Sequence, residues 1–199
     1  MANVITPVGT LSYPNLFEPR AADEGSEPKY SCAIVFDEGT DLTALKEVAI
    51  ETAKAKWGDK AEAMIRNGKL RMPFRTDGEE KGYPEGSTFM NVRSKNRPGI
   101  VSVYPDPGTG RPMPITNPDS LYPGCKVRLS VGCFAYDVSG NRGVSFGLGN
   151  VQKVSEGERL DGRSSAEHEF EADPNAVADL SDLETPVSDE KDGSLTDLL

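Results

Sequence analysis

The chain has 199 residues, 36% of them hydrophobic, and a net charge of −10 at pH 7, which allows one domain with a substantial core. No segment approaches the roughly 18 apolar residues of a membrane span, and the N-terminus lacks the basic and apolar regions of a secretory signal. Three widely spaced cysteines and a single histidine argue against a disulfide framework or a zinc site. We therefore expect no metal, no cofactor and no membrane association.

The negative charge is concentrated at the C-terminus. Residues 155–199 contain 14 acidic and 3 basic residues, a net charge of −11, whereas the other 154 residues contain 18 acidic and 19 basic residues. This split predicts a nearly neutral domain over residues 1–154, an extension over 155–172 that packs on or near it, and a disordered acidic tail over 173–199. Such a tail can compete with a polyanion for a basic groove on its own domain. The alternative is a tail that only confers solubility.

The predicted elements are mostly strands, with one main helix in the first half of the chain. Apolar residues recur with a helical period over residues 41–57, and a short second helix follows up to Gly68. The predicted strands are Asn3–Tyr13, Lys29–Asp37, Ser87–Arg97, Ile100–Tyr104, Lys126–Asp137 and Arg142–Val154, with a Pro-rich loop over Pro105–Pro123. The last two strands read as a hairpin. This order favours a mainly β fold, a small antiparallel barrel or sandwich with an inserted helix.

One face of the predicted strand Lys126–Tyr136 combines cations with aromatic rings. Lys126, Arg128, Phe134 and Tyr136 alternate with apolar residues and therefore share a face. Single-stranded nucleic acid is bound by such a mixture, since cations follow the phosphates and rings stack on bases. The alternative is a strand buried on both faces, with Phe134 and Tyr136 beneath the helix.

A second face of this kind lies on the predicted strand Ser87–Arg97. Phe89, Arg93, Lys95 and Arg97 share it, and the stretch from Arg66 to Arg97 contains 8 basic and 4 acidic residues. Affinity contributed by such a patch should fall steeply with salt. The last strand has a face of small residues, Gly143, Ser145, Gly147 and Gly149, which allows close approach by a backbone, a ligand or, as we expect, the helix.

Signals of an enzyme are weak. The glycine pairs at 108–110 and 147–149 lack the helix and the Lys-Ser/Thr of a phosphate-binding loop. Asp77, Glu79, Glu80 and Glu85 could hold a metal in a nuclease, but a solvated loop explains them more simply. We therefore predict a protein that is not an enzyme.

An ordered series of motifs resembles a bacteriophage family. The motifs are Ser12–Pro19, Lys29–Cys32, Lys56–Gly58, Ser94–Gly99, Gly140–Val144, Gly147–Lys153 and Gly162–Glu167. The family is related to the T7-type single-stranded DNA-binding proteins, and the resemblance covers about residues 3–170. It implies an OB-fold barrel that coats single-stranded DNA in replication, recombination and repair, within the cytoplasm of the infected bacterial host.

The resemblance also implies partners for the acidic tail. T7-type tails screen the DNA groove and contact the phage polymerase and helicase-primase. Those tails end in an aromatic residue, whereas this chain ends in Leu198 and Leu199, so screening should be retained, and docking into a partner's aromatic pocket would depend on these two leucines. A homodimer is compatible with the sequence.

We therefore predict DNA contacts from two groups of side chains. The phosphate contacts are Arg93, Lys95, Arg97, Lys126 and Arg128, and the stacking rings are Phe89, Phe134 and Tyr136, with Tyr83, Tyr104 and Tyr122 as weaker candidates. The alternative function is a phage structural or adaptor protein without DNA binding, in which the same faces form a protein interface.

Overall fold

The structure, a computed structural model, describes residues 3–162, which form eight strands and two α-helices. The strands are β1 (Asn3–Ile5), β2 (Gly9–Arg20), β3 (Lys29–Phe36), β4 (Thr88–Ser94), β5 (Ile100–Pro105), β6 (Pro112–Pro114), β7 (Lys126–Val138) and β8 (Asn141–Ser155). The helices are α1 (Thr43–Trp57) and α2 (Lys60–Arg66), with single 3-10 turns at Glu79–Lys81 and Pro118–Ser120. The predicted acidic tail and the end of the predicted extension lie outside the described residues.

Five strands close into a barrel. Their order around the ring is β7, β2, β3, β4, β8 and back to β7. All of these pairs are antiparallel except β4 and β8, which run parallel where Arg93 lies opposite Gly147. The mainly β, OB-fold-like barrel with an inserted helix is confirmed, and the parallel pair is its one departure from an antiparallel arrangement.

The barrel core follows the alternation read from the sequence. Val127, Leu129, Val131 and Cys133 of β7 are all buried, as are Cys32, Ile34 and Phe36 of β3. Helix α1 adds its own buried stripe of Leu45, Ala49 and Ala53 to the same cluster. The core thus occupies one face of each barrel strand, and Val35, Tyr83 and Phe89 form a second, smaller buried cluster.

Helix α1 begins just after a turn at Asp41 and ends at Gly58. The Asp41 Oδ1 accepts a hydrogen bond from the Thr43 amide at 2.9 Å, and the hydrogen bonds from Thr43 lower the pKa of the Asp41 carboxyl. Gly58 ends the helix with a φ of +59°, a conformation that glycine adopts without strain. No helix in the described part of the chain is long and apolar enough to cross a membrane.

The predicted first strand is interrupted. Residues 6–8 separate β1 from β2, and Pro7 at the break lacks the amide that a strand ladder requires. Thr6 holds this segment against β7, because its hydroxyl accepts a hydrogen bond from the Leu129 amide at 3.0 Å. The predicted loop Pro105–Pro123 also contains a short edge strand, β6, which pairs with β5.

Candidate nucleic-acid interface

The two rings at the end of β7 face outward from the barrel. The side chain of Phe134 is 39% exposed and Tyr136 is half-buried. Their cross-strand partners on β8 are Ser145 and Gly143. The alternative in which both rings are buried under α1 is therefore wrong for Phe134.

Gly143 provides the space in which the Tyr136 ring rests. A Cβ at Gly143 would lie 2.6 Å from Tyr136 Oη and 2.5 Å from the Arg71 carbonyl oxygen, distances that real Cβ atoms do not show. The atoms nearest to Gly147 and Gly149 likewise belong to β4 and β7, not to α1. The expectation that these small residues receive the helix is wrong, since they accommodate the neighbouring strands and the Tyr136 ring.

Strand β4 brings two predicted cations to these rings. The pairing of Arg93 with Gly147 sets the end of β4 beside β8, so that Arg93 and Lys95 approach Phe134 and Tyr136. Together they line a groove of about 410 Å³. The residues lining it are Lys29, Asn91, Arg93, Ser94, Lys95, Phe134, Tyr136, Ser145 and Phe146.

The groove lies where OB-fold barrels bind oligonucleotides. In such barrels the binding surface consists of the face of the second and third strands, the loop joining strands one and two, and the loop joining strands four and five. Those strands here are β3 and β4, and those loops are residues 21–28 and the Ser139–Gly140 turn. The groove therefore combines the expected location with rings and cations.

The two cations are held differently. Lys95 pairs with Glu27 of the loop 21–28, with Nζ and Oε2 separated by 2.7 Å and both side chains more than half exposed. Hydrogen bonding to Lys95 lowers the pKa of the Glu27 carboxyl. Arg93 is exposed and forms no ion pair with another residue of the described range. Among the described residues, Lys95 thus has a carboxylate partner and Arg93 has none.

Phe89 does not belong to this surface, although it shares a strand face with Arg93. Its ring is fully buried at 0% exposure, with the Tyr83 ring centroid 5.2 Å away and the Arg75 guanidinium carbon 5.2 Å from its centroid. The segment that precedes β4 folds back over this end of the strand. The predicted stacking role of Phe89 is therefore wrong, because strand alternation cannot show which part of a face is covered.

Three predicted cations lie away from the groove. Lys126 Nζ donates to Thr10 Oγ1 at 2.8 Å and lies 3.6 Å from an Asp37 carboxylate oxygen. Arg128 lines a different hollow with residues 5–8 and the start of α1. Arg97 is exposed beyond β4, with its guanidinium carbon 5.9 Å from the centre of the Phe17 ring. The phosphate contacts predicted for these three remain predictions.

The three weaker tyrosine candidates have different environments. Tyr83 is buried at 6% exposure, and its hydroxyl donates to Ser12 Oγ at 3.0 Å. Tyr122 hydrogen-bonds Glu156 at 2.7 Å and has the Arg159 guanidinium 4.4 Å from its ring centre. Tyr104 is 69% exposed but lies on β5, away from the groove.

Five groove residues were not predicted as DNA contacts, namely Lys29, Asn91, Ser94, Ser145 and Phe146. Lys29 begins β3, and its place at the barrel mouth depends on the pairing of distant strands. Asn91 lies on the predicted outer face of this strand and alternates with the buried Met90 and Val92, but the prediction counted only the cations and rings of that face. Ser145 belongs to the small face of β8 whose partner was misassigned.

The acids proposed for a nuclease do not form a metal site. Within residues 3–162, no group of three or more His, Cys, Asp or Glu side chains is placed to hold a metal ion. Asp77 instead makes a two-pronged ion pair with Arg75, which lowers the pKa of its carboxyl. This stretch is better explained as a charged loop that covers Phe89.

Comparison with known proteins gives a consistent assignment. A family model described as "Enterobacter phage Enc34, ssDNA-binding protein" matches residues 2–181. The structure resembles that of the single-stranded DNA-binding protein from bacteriophage Enc34 in complex with ssDNA, with a TM-score of 0.59 and 20% identity over 80% of this chain and 89% of that one. It also resembles gp2.5 of bacteriophage T7, a single-stranded DNA-binding protein, with a TM-score of 0.55 and 14% identity over 83% and 98% of the two chains. No curated protein matches the sequence significantly.

Proposed function

Because the chain belongs to the family of the single-stranded DNA-binding protein of Enterobacter phage Enc34, we propose that it binds single-stranded DNA in the groove between β4 and the β7–β8 hairpin. The observation that carries the proposal is the convergence of Arg93, Lys95, Phe134 and Tyr136, from separate strands, on one groove. Four of the eight predicted site residues thus meet at the position that OB-fold barrels use for oligonucleotides.

The groove suits a single strand better than a duplex. Rings that stack on bases need bases that are not already stacked in a helix, and any base has a face on which a ring can stack. Phe134 and Tyr136 therefore supply affinity without sequence preference, and Arg93 and Lys95 supply a salt-dependent contribution through the phosphates. These properties suit a protein that coats single strands during phage replication, recombination or repair in the cytoplasm of the infected host.

The direct test is fluorescence anisotropy of a labelled single strand of roughly 30 nucleotides, titrated at low and moderate salt with a duplex competitor. A site for one OB-fold spans roughly 4–16 nucleotides, so this length is sufficient. We expect binding that weakens with salt and that duplex competes for poorly. No binding by either the full chain or a form without the acidic tail would favour the structural or adaptor protein instead.

The acidic C-terminus is proposed to compete with DNA for the groove. The last described residues are fixed to the domain, because the Leu160 amide donates to the Pro123 carbonyl oxygen at 2.9 Å and Arg159 packs on Tyr122. Truncation at Ser155 would remove these contacts together with the charge. Truncation after Gly162 removes only residues outside the described domain and is the cleaner variant.

We expect truncation after Gly162 to tighten DNA binding at low salt, with the difference shrinking as salt screens the charge. A matched full-length variant replaces the eleven Asp and Glu residues of 163–199 by Asn and Gln. If competition is electrostatic, this variant should bind as the truncated form does. Equal affinity of all three proteins at low salt would contradict the competition.

The same tail is proposed to recruit the phage polymerase and helicase-primase. Its support is the acidic composition of residues 155–199 and the resemblance to T7-type proteins. Co-purification of the full chain with phage replication proteins, lost in the form truncated after Gly162, is the expected result. Retention by the truncated form would place the partner surface on the barrel.

A further inference from the structure

Tyr13 combines exposure with an unfavourable backbone conformation. Its side chain is 61% exposed, and its φ is +46°, in the left-handed region that non-glycine residues seldom adopt. The core does not require this arrangement, since Leu11 and Leu16 supply the buried side chains of this part of β2. Residues held in sparsely populated backbone conformations cluster at active sites and ligand contacts.

A β-bulge holds Tyr13 in this conformation. Ser12 pairs with Ala33 and Asn15 pairs with Ser31, so β2 contains one more residue than β3 across this interval. The Asn15 side-chain amide donates to the Tyr13 carbonyl oxygen and to Ser31 Oγ, each at 3.3 Å. Bulges redirect side chains at barrel rims and beside functional sites, and this one directs the Tyr13 ring into solvent.

A row of small and polar residues connects this bulge with the groove. Gly147 of β8 pairs with Arg93, Arg93 pairs with Ser31, and Ser31 pairs with Asn15. Direct cross-strand partners share one face of a sheet. Neighbouring strands lie about 4.8 Å apart, so the row runs roughly 14 Å across the outside of the barrel, from the Phe134 side to the bulge.

Tyr13 lies on the same side of the barrel as this row. Tyr83, whose hydroxyl donates to Ser12, packs on the outer face with Phe89. Ser12 directly precedes Tyr13 and pairs with Ala33, which lies on the same face of β3 as Ser31. The covered segment around Tyr83 therefore borders the row on one side, and Tyr13 stands at its end.

We propose that Tyr13 is a second stacking platform, on which a base rests after the DNA strand has crossed from the groove over Arg93, Ser31 and Asn15. This deepens the proposed function and depends on it. The strand would have a ring at each end of its path, Phe134 and Tyr136 at one and Tyr13 at the other. Between them the floor is small enough for the backbone to pass, and Arg93 neutralises a phosphate.

The test compares substitutions at Tyr13 by anisotropy with the labelled single strand. Tyr13→Ala and Tyr13→Leu should each weaken binding at least about fivefold, in line with one lost stacking contact, whereas Tyr13→Phe should retain the affinity. Leucine keeps an apolar side chain of similar bulk but has no aromatic face. A loss of affinity in Tyr13→Leu therefore identifies stacking as the contribution of Tyr13. Tyr104→Ala is the matched control, because Tyr104 is at least as exposed as Tyr13 but lies off the proposed DNA path. The affinity of the Tyr104→Ala variant for the single strand should not change.

The outcomes separate this inference from the proposed function. Binding that is lost on Phe134→Ala but unchanged in Tyr13→Ala overturns the second platform and leaves the groove intact. Absence of binding by both the full chain and the form truncated after Gly162 overturns the proposed function itself. An equal loss in Tyr104→Ala, or full affinity in Tyr13→Leu, shows that a ring at Tyr13 is not the cause and overturns the inference. Melting temperatures measured alongside confirm that each variant is folded.

Discussion

The two ends of strand β7 have the same pattern in sequence and different environments in the fold. At one end, Lys126 contacts Thr10 and Asp37, and Arg128 lines a hollow beside the start of α1. At the other, Phe134 and Tyr136 lie opposite small residues of β8 and near Arg93 and Lys95 of β4. Alternation along one strand thus identifies an outward face, while the neighbouring strands decide which part of that face can bind.

The largest expected effect comes from removing the rings of the groove. Phe134→Ala and Tyr136→Ala should each cost about 1–3 kcal/mol of binding free energy per stacked base, or roughly 5- to 150-fold in Kd. Anisotropy titrations at fixed salt measure this loss, with Tyr104→Ala as the exposed control. Unchanged affinity in the double variant would break the distinction between the two ends of β7.

The next largest loss of affinity should follow a substitution at Gly143, which contacts the Tyr136 ring. Gly143→Ala places a Cβ against the Tyr136 ring and the Arg71 carbonyl, so it should lower the melting temperature and weaken DNA binding. Gly110→Ala is a useful contrast, since Gly110 lies in the loop between β5 and β6 with open space around it but a positive φ, so substitution should affect stability with little effect on affinity. Thermal melts and titrations of both variants check this. Equal losses of DNA affinity in the two variants would show that Gly143 has no specific role in positioning the Tyr136 ring.

The cations provide a sharper comparison between the two ends. Arg93→Ala and Lys95→Ala should each weaken binding and reduce the slope of log K against log salt by about 0.7, the value for one phosphate contact with a single strand. Arg128→Ala should have a smaller effect on both quantities, because Arg128 lines a different hollow. A slope that falls equally in Arg128→Ala would extend the DNA path along β7 to its far end, as the sequence pattern predicts.

The smallest expected effect concerns Glu27, which holds Lys95. Glu27→Gln removes the competing carboxylate and should tighten binding by roughly twofold, in keeping with the small energy of an exposed ion pair. Because the pair with Lys95 lowers the pKa of Glu27, wild-type protein should keep this carboxylate charged until the pH falls below the ordinary range of a glutamate. The gain on substitution should therefore persist at pH 5–7. No gain anywhere in that range would show that Lys95 is not limited by Glu27.

Much of the fold could be predicted from the sequence because its signals are local. The period of residues 41–57 predicts α1, and the alternation of residues 126–137 predicts β7 and its buried face. The closed barrel depends on pairings between distant segments, such as Arg93 with Gly147, that no local pattern contains. The OB-fold itself came from the ordered motifs of the family resemblance.

The candidate site could be predicted only in part, for the same reason. Arg93, Lys95, Phe134 and Tyr136 were identified because each lies on an alternating strand face. Phe89 has the same pattern, but a segment that precedes it in the chain covers its ring. Tyr13 was not predicted as a binding residue, because its exposure results from a bulge whose register depends on β3.

The central claim, that single-stranded DNA binds in the groove, is tested most directly by photo-crosslinking. The full chain is crosslinked to a single strand containing 5-iododeoxyuridine, which couples to stacked aromatic rings. Mass spectrometry then identifies the crosslinked peptides. We expect crosslinks at Phe134 and Tyr136, and at Tyr13 on the other side of Arg93. Crosslinks confined to other rings, such as Tyr104 and Tyr122, with none at Phe134 or Tyr136, would contradict the assignment of the groove as the DNA site.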